Sequence, residues 1–179
     1  MRAAPLAVTA FAAALLLTGC SGDSDSSGGD KSTASPSNGT TCRIGAMDVE
    51  VGPASVAPAA GDTGNIPVTF TNQSAECTLD GFPGIDLNAA DSSVSLSPTE
   101  GSTPTKLTLA KGTAATVTLT YTRGEAGAEA SLDVKTLEIG LPGADTRKSF
   151  KWSYGPVQGQ GGNAGDPTAS FTAFTQAGD

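Results

Sequence analysis

Three cysteines, at positions 20, 42 and 77, are the residues of this 179-residue chain best suited to covalent chemistry. A cysteine sulfur can act as a nucleophile, bind a metal, carry a lipid or form a disulfide. The chain has no histidine, which excludes Ser-His-Asp and Cys-His catalysis and histidine metal sites. Neither a Gly-x-Ser-x-Gly elbow nor a Ser-x-x-Lys pair is present. The role of each cysteine must therefore follow from its surroundings.

Cys20 follows a segment with the composition of an export signal. One arginine precedes an apolar run over residues 6–17, which is shorter than the ~20 residues of a membrane-spanning helix. Residues 17–20, LTGC, resemble the lipobox of bacterial lipoproteins. That resemblance implies a signal peptide over residues 1–19, cleavage before Cys20 and a diacylglyceryl group on its thiol. The alternative is an ordinary signal peptide in which Cys20 occurs by chance.

The lipid on Cys20 would hold the protein at a membrane without any polypeptide crossing it. Each buried CH₂ contributes roughly 0.8 kcal/mol, and two or more acyl chains, such as palmitate, bind far more firmly than one. Residues 21–41 are rich in Ser and Gly and contain no large apolar side chain, which predicts a disordered tether. We therefore expect residues 20–41 to anchor the domain to the extracytoplasmic face of the cell membrane.

Cys42 and Cys77 remain once Cys20 is assigned to the lipid. Two cysteines left in an oxidising compartment are expected to pair. Their disulfide would close a loop of about 35 residues, which contributes roughly 4 kcal/mol in the chain-entropy model. Two free buried thiols are the alternative.

The charge balance narrows the partners of the chain. It has 10 basic against 18 acidic residues, and its isoelectric point is near 4.3. A chain this acidic, without a basic cluster, repels phosphate backbones. Nucleic acid is therefore excluded as an electrostatic partner, and binding to anionic lipid headgroups is disfavoured.

Two segments match ligand-binding patterns only formally. Residues 159–164, GQGGNA, fit the dinucleotide fingerprint, but residues 165–167, GDP, would break the helix that must follow. The segment from Asp86 to Asp91 lacks the ligand spacing and glycine of a calcium hand, and we interpret it as a polar hairpin turn. The sequence predicts no cofactor and no metal site.

Alternating apolar and polar residues predict an all-β domain over residues 42–179, and no window has a sustained helical period. The clearest strand covers residues 113–121, where apolar residues alternate with threonines. The segment between Ser153 and Ser170 is rich in Gly and Pro and predicts an exposed loop. Together, these segments predict a two-sheet antiparallel sandwich of about seven to nine strands. The other predicted ordered segments are 42–51, 65–72, 77–87, 94–96, 107–109, 132–141 with a bulge near Lys135 and Thr136, 150–154, and 171–174.

One stretch carries a pattern that is similar to a known family. Cys42 is followed by residues 68–74, VTFTNQS, and by residues 77–85, CTLDGFPGI. This arrangement, TN-x-S…C-x-L-x-G-(F/Y)-P-G, resembles domain of unknown function 4232, a module of secreted and lipid-anchored proteins of high-GC Gram-positive bacteria. The resemblance covers residues 42 to about 155. It implies an immunoglobulin-like sandwich in the cell envelope whose single disulfide joins Cys42 and Cys77, and it brings no established activity.

The residues of this pattern have a structural explanation of their own. Residues 72–74, NQS, provide turn chemistry after a strand, and Cys77 joins the exit of that turn to the first strand. Two glycines flank Phe82 and Pro83 and allow a sharp bend that places Phe82 in the core. The functional alternative places Phe82 and Pro83 at a tip that contacts a partner.

Three hypotheses describe the function. The first is a non-enzymatic binding or interaction domain, with an envelope protein or a cell-wall glycan as its partner. The second is a structural spacer or accessory subunit of an envelope assembly. The third is a hydrolase that uses carboxylates, such as Asp86 and Asp91 near Trp152. A ligand binder predicts an aromatic-lined cleft, a partner-binding module an exposed apolar patch, and a hydrolase two facing carboxylates.

Overall fold

The computed structural model describes residues 40–55 and 58–177, which contain fifteen strands, one 3₁₀ turn at Ile44–Ala46 and no α-helix. No helix in this part of the chain is long and apolar enough to cross a membrane. The predicted signal peptide, Cys20 and the tether up to residue 39 lie outside the described residues. The strands are β1 Met47–Val51, β2 Thr63–Asn72, β3 Cys77–Leu79, β4 Gly84–Asn88, β5 Ser93–Ser95, β6 Ser97–Pro98, β7 Leu107–Leu109, β8 Ala114–Thr122, β9 Ser131–Leu132, β10 Thr136–Gly140, β11 Arg147–Lys151, β12 Val157–Gln160, β13 Asn163–Pro167, β14 Ala169–Phe171 and β15 Thr175–Gln176.

The two longest strands, β2 and β8, pair antiparallel in the middle of a six-stranded sheet. Its order is β1-β2-β8-β14-β6, and β15 also pairs with β8. In β8, Val117 and Leu119 are completely buried, whereas the threonines at positions 116, 118 and 120 are half-buried. Successive side chains of a strand point to opposite faces of the sheet, so the alternation in the sequence produces this pattern directly. The strand predicted over residues 113–121 is confirmed.

A second, four-stranded sheet supplies the other half of the core. Its order is β11-β10-β4-β5, and all its neighbours are antiparallel. Strands β4 and β5 form a hairpin, so the segment from Asp86 to Asp91 is a strand end and turn, as interpreted from the sequence. The buried side chains of both sheets belong to one hydrophobic cluster, which includes Ile66, Val68, Phe70, Ile85, Leu87, Val117, Leu119, Leu137 and Ile139.

The fold class is confirmed: the domain is all-β, is built from several antiparallel sheets and contains one disulfide. The described residues form fifteen strands in four sheets, rather than the predicted seven to nine strands in two sheets. The count differs because several of these strands are only two or three residues long. The immunoglobulin-like topology stays a prediction.

The segment after Ser153 is not the exposed loop that its composition predicts. Strands β12 and β13 form a hairpin, β12 also pairs with β9, and Val157 is completely buried. Gly161 and Gly162 have φ of +58° and +85°, which suits the tight turn of a two-residue hairpin. At Gly159, a Cβ atom would clash with the backbone of Asn163. The glycines therefore permit close strand pairing here instead of preventing it.

Three other local predictions are wrong. The phase change near Lys135 and Thr136 is not a bulge, because it marks the crossing of the chain from β9 to β10, which belong to different sheets. The first strand begins only at Met47, after the 3₁₀ turn. The strand predicted to extend to Tyr154 ends at Lys151, and the chain then turns.

The register of the six-stranded sheet defines two ends of the domain. At one end, Met47 lies opposite Asn72, and residues 40–42 enter beside Ala46. At the other end, β1 finishes at Val51, near the last residues of β8. We name the end at Met47 and Asn72 the tether end, and the end at Val51, where a cleft opens, the cleft end. Strand β2 runs between them, so they lie about 30 Å apart.

Candidate functional site

The two remaining cysteines form a disulfide at the tether end, as predicted from the sequence. Cys42 and Cys77 are both buried. Next to the bridge, the N–H of Cys42 donates to the carbonyl oxygen of Thr78 at 3.0 Å, and the N–H of Thr78 donates to that of Thr40 at 2.9 Å. The entering chain is therefore fastened to β3 by a covalent bond and by backbone pairing. Because the two sulfurs are bonded to each other, neither is available as a nucleophile.

Asn72, from the TN-x-S pattern, is completely buried at the same end. Its Nδ2 donates to the carbonyl oxygens of Ala75 at 2.9 Å and Leu109 at 3.0 Å. Its Oδ1 accepts from the N–H of Ser74 at 3.0 Å, which is the turn chemistry that the sequence predicts. One amide group therefore ties the turn after β2 to the end of β7.

Phe82 and Pro83, the predicted partner-contact residues, pack against the domain. Pro83 is buried, and Phe82 is half-buried with its ring centroid 6.3 Å from that of Phe171 in an edge-on arrangement. Gly81 makes the preceding bend with φ of +113°. The contacts agree with the structural explanation of the motif. Contact between the exposed part of Phe82 and a partner stays a prediction.

The carboxylates considered for hydrolysis have different surroundings. Asp86 is buried, its Oδ2 lies 3.0 Å from Nη1 of Arg147, and its Oδ1 accepts from Oγ of Ser95 at 2.6 Å. Asp91 is exposed in the turn after β4. Both oxygens of Asp86 are thus engaged in fastening β4 to its sheet. Within residues 40–55 and 58–177, no group of three or more Asp, Glu or Cys residues is placed to hold a metal.

A cleft with a volume of about 450 Å³ opens at the cleft end. This volume lies in the range of small-molecule sites, which are typically concave and mostly apolar with a few polar groups. The chain after β1 forms one wall, and the end of β8 and the turn after β11 form the other. We name it the tyrosine cleft; its lining residues are Val51, Gly52, Pro53, Ala54, Pro58, Tyr121, Arg123, Ser153 and Tyr154.

Three aromatic rings support this cleft. The ring of Trp152 lies edge-on to those of Tyr121 and Tyr154, with centroid distances of 5.3 and 4.8 Å. The hydroxyl of Tyr154 donates to the carbonyl oxygen of Gly52 at 2.6 Å, and that of Tyr121 donates to the carbonyl oxygen of Tyr154 at 3.0 Å. The indole N–H of Trp152 donates to the carbonyl oxygen of Gly155. The bond from Tyr154 to Gly52 joins the two walls, and the other two bonds brace the second wall, so the cleft is shaped before any ligand enters.

Burial raises the pKa of the Tyr121 and Tyr154 hydroxyls above the ordinary value of 10.0. For Tyr121, the positive charge of Arg123 lowers the pKa, but burial outweighs it and the neighbouring Tyr154 raises the pKa further. Both phenols are therefore protonated at neutral pH. They act as hydrogen-bond donors to the backbone and not as bases.

Arg123 is the one charged residue in the lining of the tyrosine cleft, and it is half-buried. Its Nη1 donates to the carbonyl oxygen of Pro58 at 2.9 Å. A Cβ atom on Gly155 would lie 3.0 Å from Nε and 3.2 Å from Nη2 of Arg123. The absence of a side chain at Gly155 thus lets the guanidinium lie against the backbone of the turn after β11.

Sequence reasoning did not select the cleft. It placed Trp152 and Tyr154 in one predicted ordered segment over residues 150–154, whereas Trp152 is buried with 5% exposure and Tyr154 lines the cleft. Arg123, directly after the clearest strand, was the signal that could have been noticed, because a cation there departs from the apolar alternation. Gly64 packs against the cleft residue Tyr121, because a Cβ atom there would come 2.5 Å from the tyrosine ring. Nothing in the sequence around Gly64 indicates this contact.

Comparison with known proteins shows to which family the chain belongs. No curated protein matches the chain. The profile of the family described as domain of unknown function (DUF4232) matches residues 42–175, which is most of the 179 residues. The match extends past residue 155, where the resemblance was predicted to end, so the hairpin of β12 and β13 and the strands after it lie within the family's domain. The chain therefore belongs to the DUF4232 family.

Proposed function

We propose that this protein is a cell-envelope lipoprotein, anchored through Cys20, whose domain binds a ligand in the tyrosine cleft without converting it. The observation that carries the proposal is the cleft itself. It has the volume of a small-molecule site, an aromatic and proline lining, and two hydrogen bonds, from Tyr154 to Gly52 and from Arg123 to Pro58, that join its walls. This is the geometry that the ligand-binding hypothesis requires.

The position of the cleft supports display towards the outside. The tether would enter at the disulfide, and the cleft lies at the opposite end of β2, about 30 Å away. A lipid on Cys20 would therefore leave the opening accessible to a ligand that does not itself approach the membrane. A spacer, the second hypothesis, has no need of a preformed cleft at its free end.

The groups that line the cleft favour binding over catalysis. No carboxylate or thiol is among them, and the tyrosine hydroxyls are protonated donors to backbone carbonyls. Ser153 has no basic partner in this lining other than Arg123, which cannot accept a proton at neutral pH. The lining thus offers shape, apolar surface and one positive charge.

A photo-crosslinking amino acid at Ser153 of the lipidated protein tests the site in cells. Ser153 is exposed and lines the cleft, and Glu76 is an equally exposed position at the tether end for a matched control. We expect a crosslinked product, detected by mass spectrometry, from position 153 and not from position 76. Equal labelling at both positions, or labelling at 76 alone, would remove the support for the cleft and favour the spacer.

The anchor is tested separately with the substitution Cys20→Ala. We expect the variant to be released into the medium or to remain unprocessed, and to lose metabolic labelling by palmitate. The substitution Ser21→Ala is the control, because it changes a neighbouring residue and leaves the thiol in place. Unchanged membrane retention and labelling of Cys20→Ala would contradict the lipoprotein assignment.

A further inference from the structure

Arg123 is a half-buried cation in a protein that is strongly acidic. The chain has a net charge of −8, yet in the part that the structure describes no Asp or Glu oxygen lies within 4.0 Å of the Arg123 guanidinium. Arg147 differs, because it has Asp86 as its partner at 3.0 Å. A guanidinium has five N–H donors, and the hydrogen bond of Arg123 to Pro58 uses only one of them. Donors and charge therefore remain for a group that the described residues do not supply.

The guanidinium is held in place without being neutralised. Its Nη1 is fixed by the carbonyl oxygen of Pro58, and its Nε and Nη2 lie over Gly155. Arg123 also lines a second hollow of about 310 Å³, together with Glu125, so it borders two depressions of the surface. A positioned cation binds an anion with less loss of side-chain freedom than a mobile one.

The remaining walls of the cleft are suited to a ring. Tyr154, Pro53 and Pro58 line the cleft with one aromatic and two pyrrolidine rings, and Val51 adds an aliphatic side chain. Rings stack on such surfaces, and the volume of about 450 Å³ admits a ligand of one or two rings. One arginine balances one negative charge, which matches a carboxylate better than a phosphate monoester with its charge of −1.5 to −2.

We infer that the tyrosine cleft binds a monocarboxylate carried on a ring, with the carboxylate on Arg123 and the ring against Tyr154. This inference rests on the proposed function, since it assigns a ligand class to the same cleft. Two sources share this chemistry: acidic sugars of the cell wall and aromatic acids. The apolar surfaces accept either ring, and matched probes distinguish them.

Trp152 provides the measurement. It is the only tryptophan of the chain, and its ring is in contact with both tyrosines of the cleft. Its fluorescence therefore reports occupation of the cleft by a probe. The sugar pair is N-acetylmuramic acid and N-acetylglucosamine, which share a ring and differ in a carboxylate-bearing group. The aromatic pair is 4-phenylbutyrate and 4-phenylbutanol.

The titrations use the full chain and three variants. We expect the carboxylate member of one pair to bind at least tenfold more tightly than its neutral partner. Arg123→Gln should reduce the affinity for that probe by about ten- to a hundredfold, because a charged hydrogen bond is lost, and Arg123→Lys should restore part of it. Lys111→Gln removes a cation at the tether end and should leave the affinity unchanged.

Each outcome decides a different claim. If carboxylate and neutral probes bind equally, or if Arg123→Gln weakens both equally, Arg123 shapes the cleft and the carboxylate inference is wrong while ligand binding stands. If no probe changes Trp152 fluorescence, the ring-carboxylate class is wrong. Crosslinking at position 153 then tests independently whether the cleft binds a ligand. Selective binding of one carboxylate, lost in Arg123→Gln and kept in Lys111→Gln, supports the inference and identifies its source.

Discussion

The two ends of this domain are held together by different kinds of interaction. At the tether end, a disulfide and the buried amide of Asn72 join segments that are far apart in the sequence. At the cleft end, the walls are joined by single hydrogen bonds from Tyr154 to Gly52 and from Arg123 to Pro58, and the hydroxyl of Tyr121 and the indole of Trp152 brace one wall. The amide of Asn72 at the tether end is hydrogen-bonded within the fold through both its oxygen and its nitrogen, whereas Arg123 at the cleft end keeps unused donors.

This difference predicts that substitutions at the two ends of the domain have different effects. A covalent bridge and a fully satisfied buried amide resist unfolding at the point where the chain enters. Single hydrogen bonds contribute only about 1 kcal/mol each, so the loss of one bond at the cleft end should change the stability of the domain little. Substitutions at the tether end should therefore act on stability, and substitutions at the cleft end should act on binding.

The largest effect is expected from the double substitution Cys42→Ser and Cys77→Ser. Removing the disulfide should lower the free energy of unfolding by about 4 kcal/mol, because the loop it closes spans 35 residues. Urea unfolding followed by Trp152 fluorescence measures the change. The reduced wild-type protein is the control and should unfold at the same urea concentration as the variant. An unchanged midpoint would mean that the tether end is not the stability determinant proposed here.

The second substitution is Asn72→Ala, which leaves the carbonyl oxygens of Ala75 and Leu109 without their donor. Loss of several buried hydrogen bonds should lower the free energy of unfolding by about 3 kcal/mol. Ser74→Ala is the control and should cost less than about 1 kcal/mol, because the backbone N–H that bonds Asn72 is kept. If both variants unfold alike, the amide of Asn72 does not join these segments as described.

Tyr154→Phe should separate the two ends most clearly. It removes the bond to the carbonyl oxygen of Gly52, which should cost only about 1 kcal/mol of stability. The wall that starts at Gly52 should then move more freely, and this is measured as faster amide hydrogen exchange at Gly52, Ala54 and Ser55. Tyr121→Phe is the matched control, because its hydroxyl bonds the opposite wall and its loss should leave that exchange unchanged. Equal exchange in both variants would contradict the assignment of this bond.

The smallest effect is expected from alkaline pH. Burial raises the pKa of Tyr121 and Tyr154 in the folded protein, so the folded state holds these protons more tightly than the unfolded chain. Their contribution to stability should be complete below the ordinary pKa of 10.0 and be lost as the pH rises through the raised values. Melting temperatures measured from neutral to alkaline pH should fall in this range, less steeply for Tyr154→Phe. An identical fall in the wild type and the variant would show that Tyr154 does not contribute.

Some of the fold followed from the sequence because the deciding interactions are local. The alternation over residues 113–121 determined both the strand β8 and its buried face, since the period of two is a property of the extended backbone. The pairing of Cys42 with Cys77 followed from the number of cysteines and the compartment implied by the signal. The prediction of an exposed loop after Ser153 was wrong because glycine-rich composition alone does not distinguish a turn between paired strands, as in the β12–β13 hairpin, from a loop.

The tyrosine cleft was decided only by the tertiary structure. Its lining comes from three parts of the sequence, residues 51–54 and 58, residues 121 and 123, and residues 153–154, which are distant in sequence and meet because β1, β8 and the turn after β11 end on the same side of the domain. The sequence determined that the chain has one tryptophan and few cations. It did not determine that Arg123 would lie in a cleft with no described carboxylate oxygen within 4.0 Å, because that placement depends on how separate strands pack and not on any local pattern.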